Sequence, residues 1–236
     1  MSDPLDPNRA MLLRVAQALG DLRESLVFVG GCANGLLVTA IRAQMLRPTE
    51  DVDMVAHALT AQEYHKAEQQ LQARGFSHDT SEDAPICRWR YQGIVVDLMP
   101  SGDGVLGFHN RWYPLAVQSA QTVMLDDTIS IRLIAAPVFI GTKLEAFEGR
   151  GKGDFLMSHD LEDIITVVDG RASLAQEMRQ SPTELRVYLA ANFRALLASA
   201  DFLDALAGHL PGDAASQARL PVLVSRFREV AEIDKA

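Results

Sequence analysis

The chain has 236 residues and a formal net charge of −9, from 31 acidic against 22 basic side chains. That balance argues against broad, non-specific nucleic-acid binding, which needs a positive field, and leaves only a local basic groove open. Hydrophobic residues make up 48% and there are two cysteines, an ordinary globular composition that excludes a disulfide-rich scaffold. No apolar run is long enough to span a bilayer. The N-terminus lacks a basic-then-apolar signal, so a cytoplasmic protein is expected.

In chain order, residues 1–8 read as a loose arm. Residues 9–22 place Leu12, Leu13, Val15, Ala16 and Leu19 at near-helical spacing, a helix expected on the outside of a sheet. Residues 26–29 are a short apolar strand that ends at Gly30 and Gly31, and residues 32–45 read as a helix. Strand, two glycines, helix is a phosphate-site layout, because glycine allows close backbone approach and a helix start offers free N–H groups. A Gly-Gly pair by itself is a weak signal and more often just a tight turn.

Residues 47–55 read as a turn running into a strand. Alternation along a strand puts Asp51 and Asp53 on one face and Val52 and Met54 in the core. Two carboxylates at this spacing repel each other unless a cation sits between them, and Mg²⁺ is the hard ion that takes oxygen ligands. The plain alternative is a solvated strand edge. Thr60 and Glu63 form a capping-box pattern, with a helix expected to about Arg74 and Gly75 at its end. Acids at residues 79–83 read as a solubilising surface.

Residues 86–91 and 94–99 flank Gln92-Gly93, a two-residue hairpin signal. The second of these strands carries Asp97, an acid that so apolar a run tolerates only when paired or metal-bound. Residues 101–110 hold three glycines and read as a mobile loop, either a lid or a plain connection. A second hairpin joins residues 122–125 and 128–133 around Asp126-Asp127. Residues 137–147 form a helix with Pro137 at its start. The basic, glycine-rich residues 149–153 read as a connection or a phosphate wrap.

Residues 160–168 are helical, with Leu161, Ile164, Ile165 and Val168 on the packing face. Asp160 and Asp163 lie on a neighbouring face, where acids near a helix start also suit its dipole. Residues 184–206 and 216–230 form a helical extension without recognisable chemistry. Cys32 reads as a small packed hydrophobe. His57, His65, His78 and His209 show no ligand spacing, while His109 and His159 lie beside candidate site segments. Trp89, Trp112, Tyr91 and Tyr113 suit base stacking or ordinary packing.

Gly30-Gly31-x-Ala33, then Arg47-x-Thr49-x-Asp51-Val52-Asp53, then Asp97 resembles the nucleotidyltransferase superfamily of the polymerase β type in order and spacing. The fuller string is similar to its AbiEii-type toxin branch. A third block, Lys143-Leu144-Glu145-Ala146-Phe147 with Arg150 and the acids from Asp160 to Asp163, adds to the likeness, which covers residues 27–169.

The resemblance implies an α+β fold, a mixed β-sheet with flanking helices and a C-terminal helical extension. It divides the chain into a core at residues 1–133 and a helical region at residues 134–236 that completes the active-site cleft. It implies Mg²⁺-dependent transfer, with Mn²⁺ as a substitute, of a nucleotidyl group from a nucleoside triphosphate to an RNA, protein or small-molecule acceptor. Asp51, Asp53 and Asp97 would hold metal, with Lys143 and Asp160 also catalytic. Gly30, Gly31, Arg47, Thr49 and Lys143 would receive the triphosphate. The toxin branch adds an antitoxin partner. An inactive nucleotide-binding module and a metal-dependent phosphohydrolase are the alternatives.

Overall fold

The computed structural model describes residues 6–39, 46–151 and 153–235. The chain divides into two compact units, Met1–Leu36 with Arg47–Ala135 and Leu37–Leu46 with Ala136–Ala236. The fold is α+β, with a mixed sheet in the first unit and helices in the second.

The strands are β1 (Leu26–Val29), β2 (Asp51–Ala56), β3 (Ser77–His78), β4 (Arg88–Tyr91), β5 (Ile94–Pro100), β6 (Gln121–Met124) and β7 (Ser130–Leu133). They form a 7-stranded sheet in the order β3-β4-β5-β2-β1-β7-β6. β2 runs antiparallel to β1 and parallel to β5, which puts it centrally between two apolar neighbours. The helices of this unit are α1 (Arg9–Leu19), α2 (Asn34–Leu37), α3 (Ala61–Gln72) and α4 (Tyr113–Ser119).

One sheet face makes the core. Phe28, Val52, Met54, Val96, Leu98 and Trp89 are all fully buried and cluster with Leu12, Val15, Ala16 and Leu19 of α1 and Tyr64 and Leu71 of α3. The strict alternation of β2 sends Val52 and Met54 into this core and leaves Asp51 and Asp53 half-buried on the other face. The Tyr64 hydroxyl donates to the Leu98 carbonyl at 2.7 Å, so the phenol reaches a partner inside the core.

Local signals act as expected. Thr60 and Glu63 form the capping box, and the helix ends at Gln72, with Gly75 at φ +85° beyond it. Gln92 and Gly93 both have positive φ, 48° and 84°, as a two-residue hairpin of the right twist requires. The two-residue β3 carries no period of its own and is absent from the sequence-based expectation.

Several expectations are corrected. The helix expected at residues 32–45 is a 3₁₀ turn, Gly31–Ala33, followed by α2, which stops at Leu37. β-branched Val38 and Thr39 follow, and the Thr39 N–H donates to the Gly170 carbonyl at 3.0 Å instead of continuing a helix. Residues 40–45 lie outside the described residues. Asn8 is not part of a loose arm: it is 2% exposed and bonded to the chain before β2. The loop expected at residues 101–110 is anchored at its start, where the Ser101 and Gly102 N–H groups donate to the Ala56 and Ala58 carbonyls at 2.9 and 2.8 Å.

The second unit contains α5 (Ala136–Arg150), α6 (His159–Gly170), α7 (Leu174–Arg179), α8 (Thr183–Ala198), α9 (Ala200–Leu206), α10 (Ala214–Gln217) and α11 (Leu220–Val230). α5 extends through Gly149 and Arg150, which the sequence places in a connection. Lys152 lies outside the described residues. The helix expected over residues 184–206 breaks at Ser199, whose hydroxyl accepts from the Phe202 N–H and restarts the chain as α9. Phe147, Phe155, Phe202, Phe227 and Phe193 follow one another at centroid distances of 5.0–5.9 Å through the core of this unit. Arginines close several carbonyl-rich ends: Arg171 donates to Leu37, Arg194 to Ala231, and Arg226 to Val168 and Asp169. Among the described residues, no helix is long and apolar enough to cross a membrane.

Candidate active site

Sheet register builds a transverse row on the face opposite the core. Val29 pairs with Asp53, Asp53 with Asp97, and Asp97 with Arg88, across β1, β2, β5 and β4. Directly paired residues share a face, and Asp51, two positions before Asp53, joins them. One carboxylate oxygen from each of Asp51, Asp53 and Asp97 lies within 4.8 Å of the others. Asp97 is buried, and the other two are half-buried. The set offers only hard oxygen donors and could hold a divalent metal ion.

Gly30 makes room for this cluster. It sits at φ +69°, in the region that favours glycine, and a Cβ there would lie 1.8 Å from Asp53 Oδ2. The Asp53 side chain therefore packs against the Gly30 backbone where any Cβ would stand. Gly31 is buried at the start of the 3₁₀ turn.

The approach to β2 is clamped. The Asn8 side chain donates to the Arg47 carbonyl at 3.0 Å and accepts from the Thr49 N–H at 2.9 Å. The Thr49 hydroxyl donates to the Asp51 carbonyl at 3.2 Å, so it braces the turn. The Arg47 side chain is partly buried beside this turn.

Arg88 is the partner that the sequence reading does not assign. Its Nε and Nη2 donate to Asp97 Oδ1 and Oδ2 at 2.9 and 2.8 Å. Those bonds to Asp97 hold the guanidinium pKa above its ordinary value against the opposing effect of burial. A signal for it exists: the two-residue turn at Gln92-Gly93 fixes the hairpin register, and counting outward from Tyr91 and Ile94 sets Arg88 opposite Asp97. Beside it, burial pushes the Cys87 thiol up to about 12, with the Asp97 and Asp53 charges adding to the effect. That makes it an inert, buried thiol.

Lys143, Asp160 and Asp163 come together in the second unit. Lys143 Nζ lies 3.2 Å from Asp160 Oδ1 and 2.6 Å from Asp163 Oδ2. Arg150 donates to both Asp160 oxygens at 2.8 Å. Lys143, Asp160 and Asp163 are 8%, 5% and 1% exposed. Burial opposes the charge on Asp160, but the Arg150 bonds and the Lys143 charge outweigh it and hold its carboxyl below the ordinary range.

His109 Nδ1 lies 3.1 Å from Asp103, and His159 Nδ1 3.3 Å from Glu162. Trp89 and Trp112 are buried and serve packing, and Tyr91 stacks on Phe76 at 4.6 Å.

No family model and no curated protein matches the chain. Its structure is similar to that of JHP933 from Helicobacter pylori, with a TM-score of 0.48 and 12% identity over 100% of this chain and 95% of that one. It is also similar to a second H. pylori protein, provisionally described as a nucleotidyltransferase, with a TM-score of 0.46 and 11% identity over 99% of this chain and 97% of that one.

Proposed function

We propose that this chain transfers a nucleotidyl group from a nucleoside triphosphate to an acceptor. What carries the reading is the triad: three carboxylate oxygens within 4.8 Å of one another on one sheet face. Such a concentration of negative charge is costly unless a cation offsets it. The residues fit Mg²⁺, or Mn²⁺ in its place. All donors are carboxylate oxygens, and each Asp97 oxygen that accepts from Arg88 keeps a lone pair free.

Asp51, Asp53 and Asp97 would hold the ion, which supplies charge neutralisation along the triphosphate when bound. Asp97 faces the acceptor side and takes up the proton that the acceptor loses as it attacks the α-phosphorus and pyrophosphate departs. Gly30, Gly31 and the turn after them present backbone to the phosphates. Arg47 offsets phosphate charge from the turn that Asn8 and Thr49 hold in shape. Lys143 and Asp160 enter this reading from the sequence resemblance, as a phosphate partner and the acid that orients it.

The AbiEii-type resemblance extends the reading to a cytoplasmic toxin whose antitoxin is a second protein, with RNA, protein or a small molecule as acceptor. Growth arrest on expression that Asp53→Asn relieves supports that extension, and unimpeded growth removes it.

The test of the core reading is incubation with each labelled nucleoside triphosphate, Mg²⁺ and fractionated cell RNA, protein and metabolites. Label is expected in one fraction with the wild type and in none with Asp53→Asn. Release of free product without a labelled acceptor would identify a phosphohydrolase instead. Nucleotide binding without turnover would identify an inactive module.

A further inference from the structure

The fork between Arg88 and Asp97 joins two strands at a register-paired position, with bonds of 2.9 and 2.8 Å. The side chains are 29% and 11% exposed. A two-pronged bond of this kind fixes the plane of a carboxylate as well as offsetting its charge. The same carboxylate is the buried member of the triad.

We propose that Arg88 is a positioning residue for the triad: it holds the Asp97 carboxylate in place and lowers the triad's affinity for a divalent cation when no triphosphate is bound. The inference rests on the nucleotidyl-transfer reading above. Each Asp97 oxygen uses one lone pair on Arg88, so it faces the ion from one direction only. Without the guanidinium, Asp97 loses the partner that fixes its plane, and the site becomes more negative. The two consequences differ in sign. Cation affinity rises, and turnover falls because the acceptor-side carboxylate loses its orientation. A strut that merely ties β4 to β5 would change stability and move neither quantity in this pattern.

The experiment uses the full chain as wild type, Arg88→Gln and Arg88→Lys. Mn²⁺ alone is titrated and its free concentration read by electron paramagnetic resonance. Transfer is measured for kcat and for KM of Mn²⁺, and circular dichroism reports folding. Arg88→Gln is expected to bind Mn²⁺ about tenfold tighter, since one nearby positive charge is gone. Its kcat should fall about tenfold or more, the scale of a misplaced catalytic group. Arg88→Lys keeps the charge and loses the fork. It should therefore bind Mn²⁺ as the wild type does and share the loss in kcat.

Wild-type or weaker Mn²⁺ binding in a folded Arg88→Gln overturns the inference. So does a wild-type kcat in Arg88→Lys, which decides the matter if Arg88→Gln does not fold. Absence of Mn²⁺ binding in all three proteins overturns it as well. The expected Mn²⁺ pattern in a chain that transfers no nucleotide would uphold the effect of Arg88 on the triad and sink the transfer reading.

Discussion

Asp53 packs against Gly30 so closely that only a residue without a Cβ fits: an added Cβ would lie 1.8 Å from Asp53 Oδ2 and 2.5 Å from its Cγ. Antiparallel pairing of Val29 with Asp53 brings the two together, and φ +69° at Gly30 adds a backbone reason for glycine. Gly30→Ala should displace Asp53. A catalytic group moved by about 1 Å can cost on the order of 100-fold in rate, and the strained backbone a further ~1–3 kcal/mol of stability. Gly93→Ala is the control. It shares the positive φ, at +84°, but has open space around it, so it should cost about 1–2 kcal/mol and leave activity intact. Thermal melts with Mn²⁺ titrations separate the two, and equal activity in both variants would detach Gly30 from the site.

Asp51→Asn and Asp53→Asn should abolish transfer and leave the fold intact. Each removes one of three clustered like charges, so the metal-free protein should melt at the same temperature or higher. Mg²⁺ with a nucleoside triphosphate should raise the wild-type Tm by more than the sum of the two separate shifts, because both ligands bind the folded state at one place. Full activity in either variant, or purely additive shifts, would dismantle the metal-site assignment.

Lys143 sits between two buried carboxylates, and its removal should show in the pH dependence of stability. The folded pKa of Asp160 is below its unfolded value. Its contribution is therefore complete above the unfolded pKa, about 4, and disappears as pH falls through the lower folded value. Lys143→Met removes one of the cations that lower this pKa, so the Asp160 contribution should be smaller and its loss complete at a higher pH. At neutral pH, breaking a buried pair should cost about 3–5 kcal/mol. Urea denaturation from pH 3 to pH 7 measures both effects. An unchanged profile would show that the cluster contributes nothing to folding.

The same cluster has a test in binding. Lys143→Ala should weaken a non-hydrolysable triphosphate by about 1.5–3 kcal/mol, the worth of a charge-assisted bond. Asp160→Ala should keep that affinity and lower kcat. Calorimetry beside transfer assays, on variants shown to be folded, distinguishes them. Unchanged affinity in Lys143→Ala would take this lysine out of the phosphate reading.

Asn8→Ala removes both bonds that hold the turn before β2, at 3.0 and 2.9 Å. Leaving their backbone partners unpaired should cost about 2–4 kcal/mol. Faster hydrogen exchange at the Thr49 amide is the specific readout, and wild-type protection there would show that the clamp is dispensable.

The residues themselves determined what depends on near neighbours in the chain. The capping box of Thr60 and Glu63, the hairpin at Gln92-Gly93 and the alternation of β2 are written within a few positions, because caps, turns and strand faces are local physics. Even the Arg88–Asp97 pair was within reach, since a two-residue turn dictates which residues face each other. Tertiary structure decided the rest. That Asp53 lies beside Asp97 follows from β2 and β5 running parallel, a pairing across 44 residues that no local pattern encodes. Gly30 acquires its role only when Asp53 arrives over it, and Asn8 reaches a turn 39 residues away. Asp160 and Asp163 suit a helix dipole in isolation, and become a buried ion cluster only once α5 brings Lys143 and Arg150 against α6. Each of these depends on the pairing or packing of distant segments, which burial of the whole core selects and no short window can express.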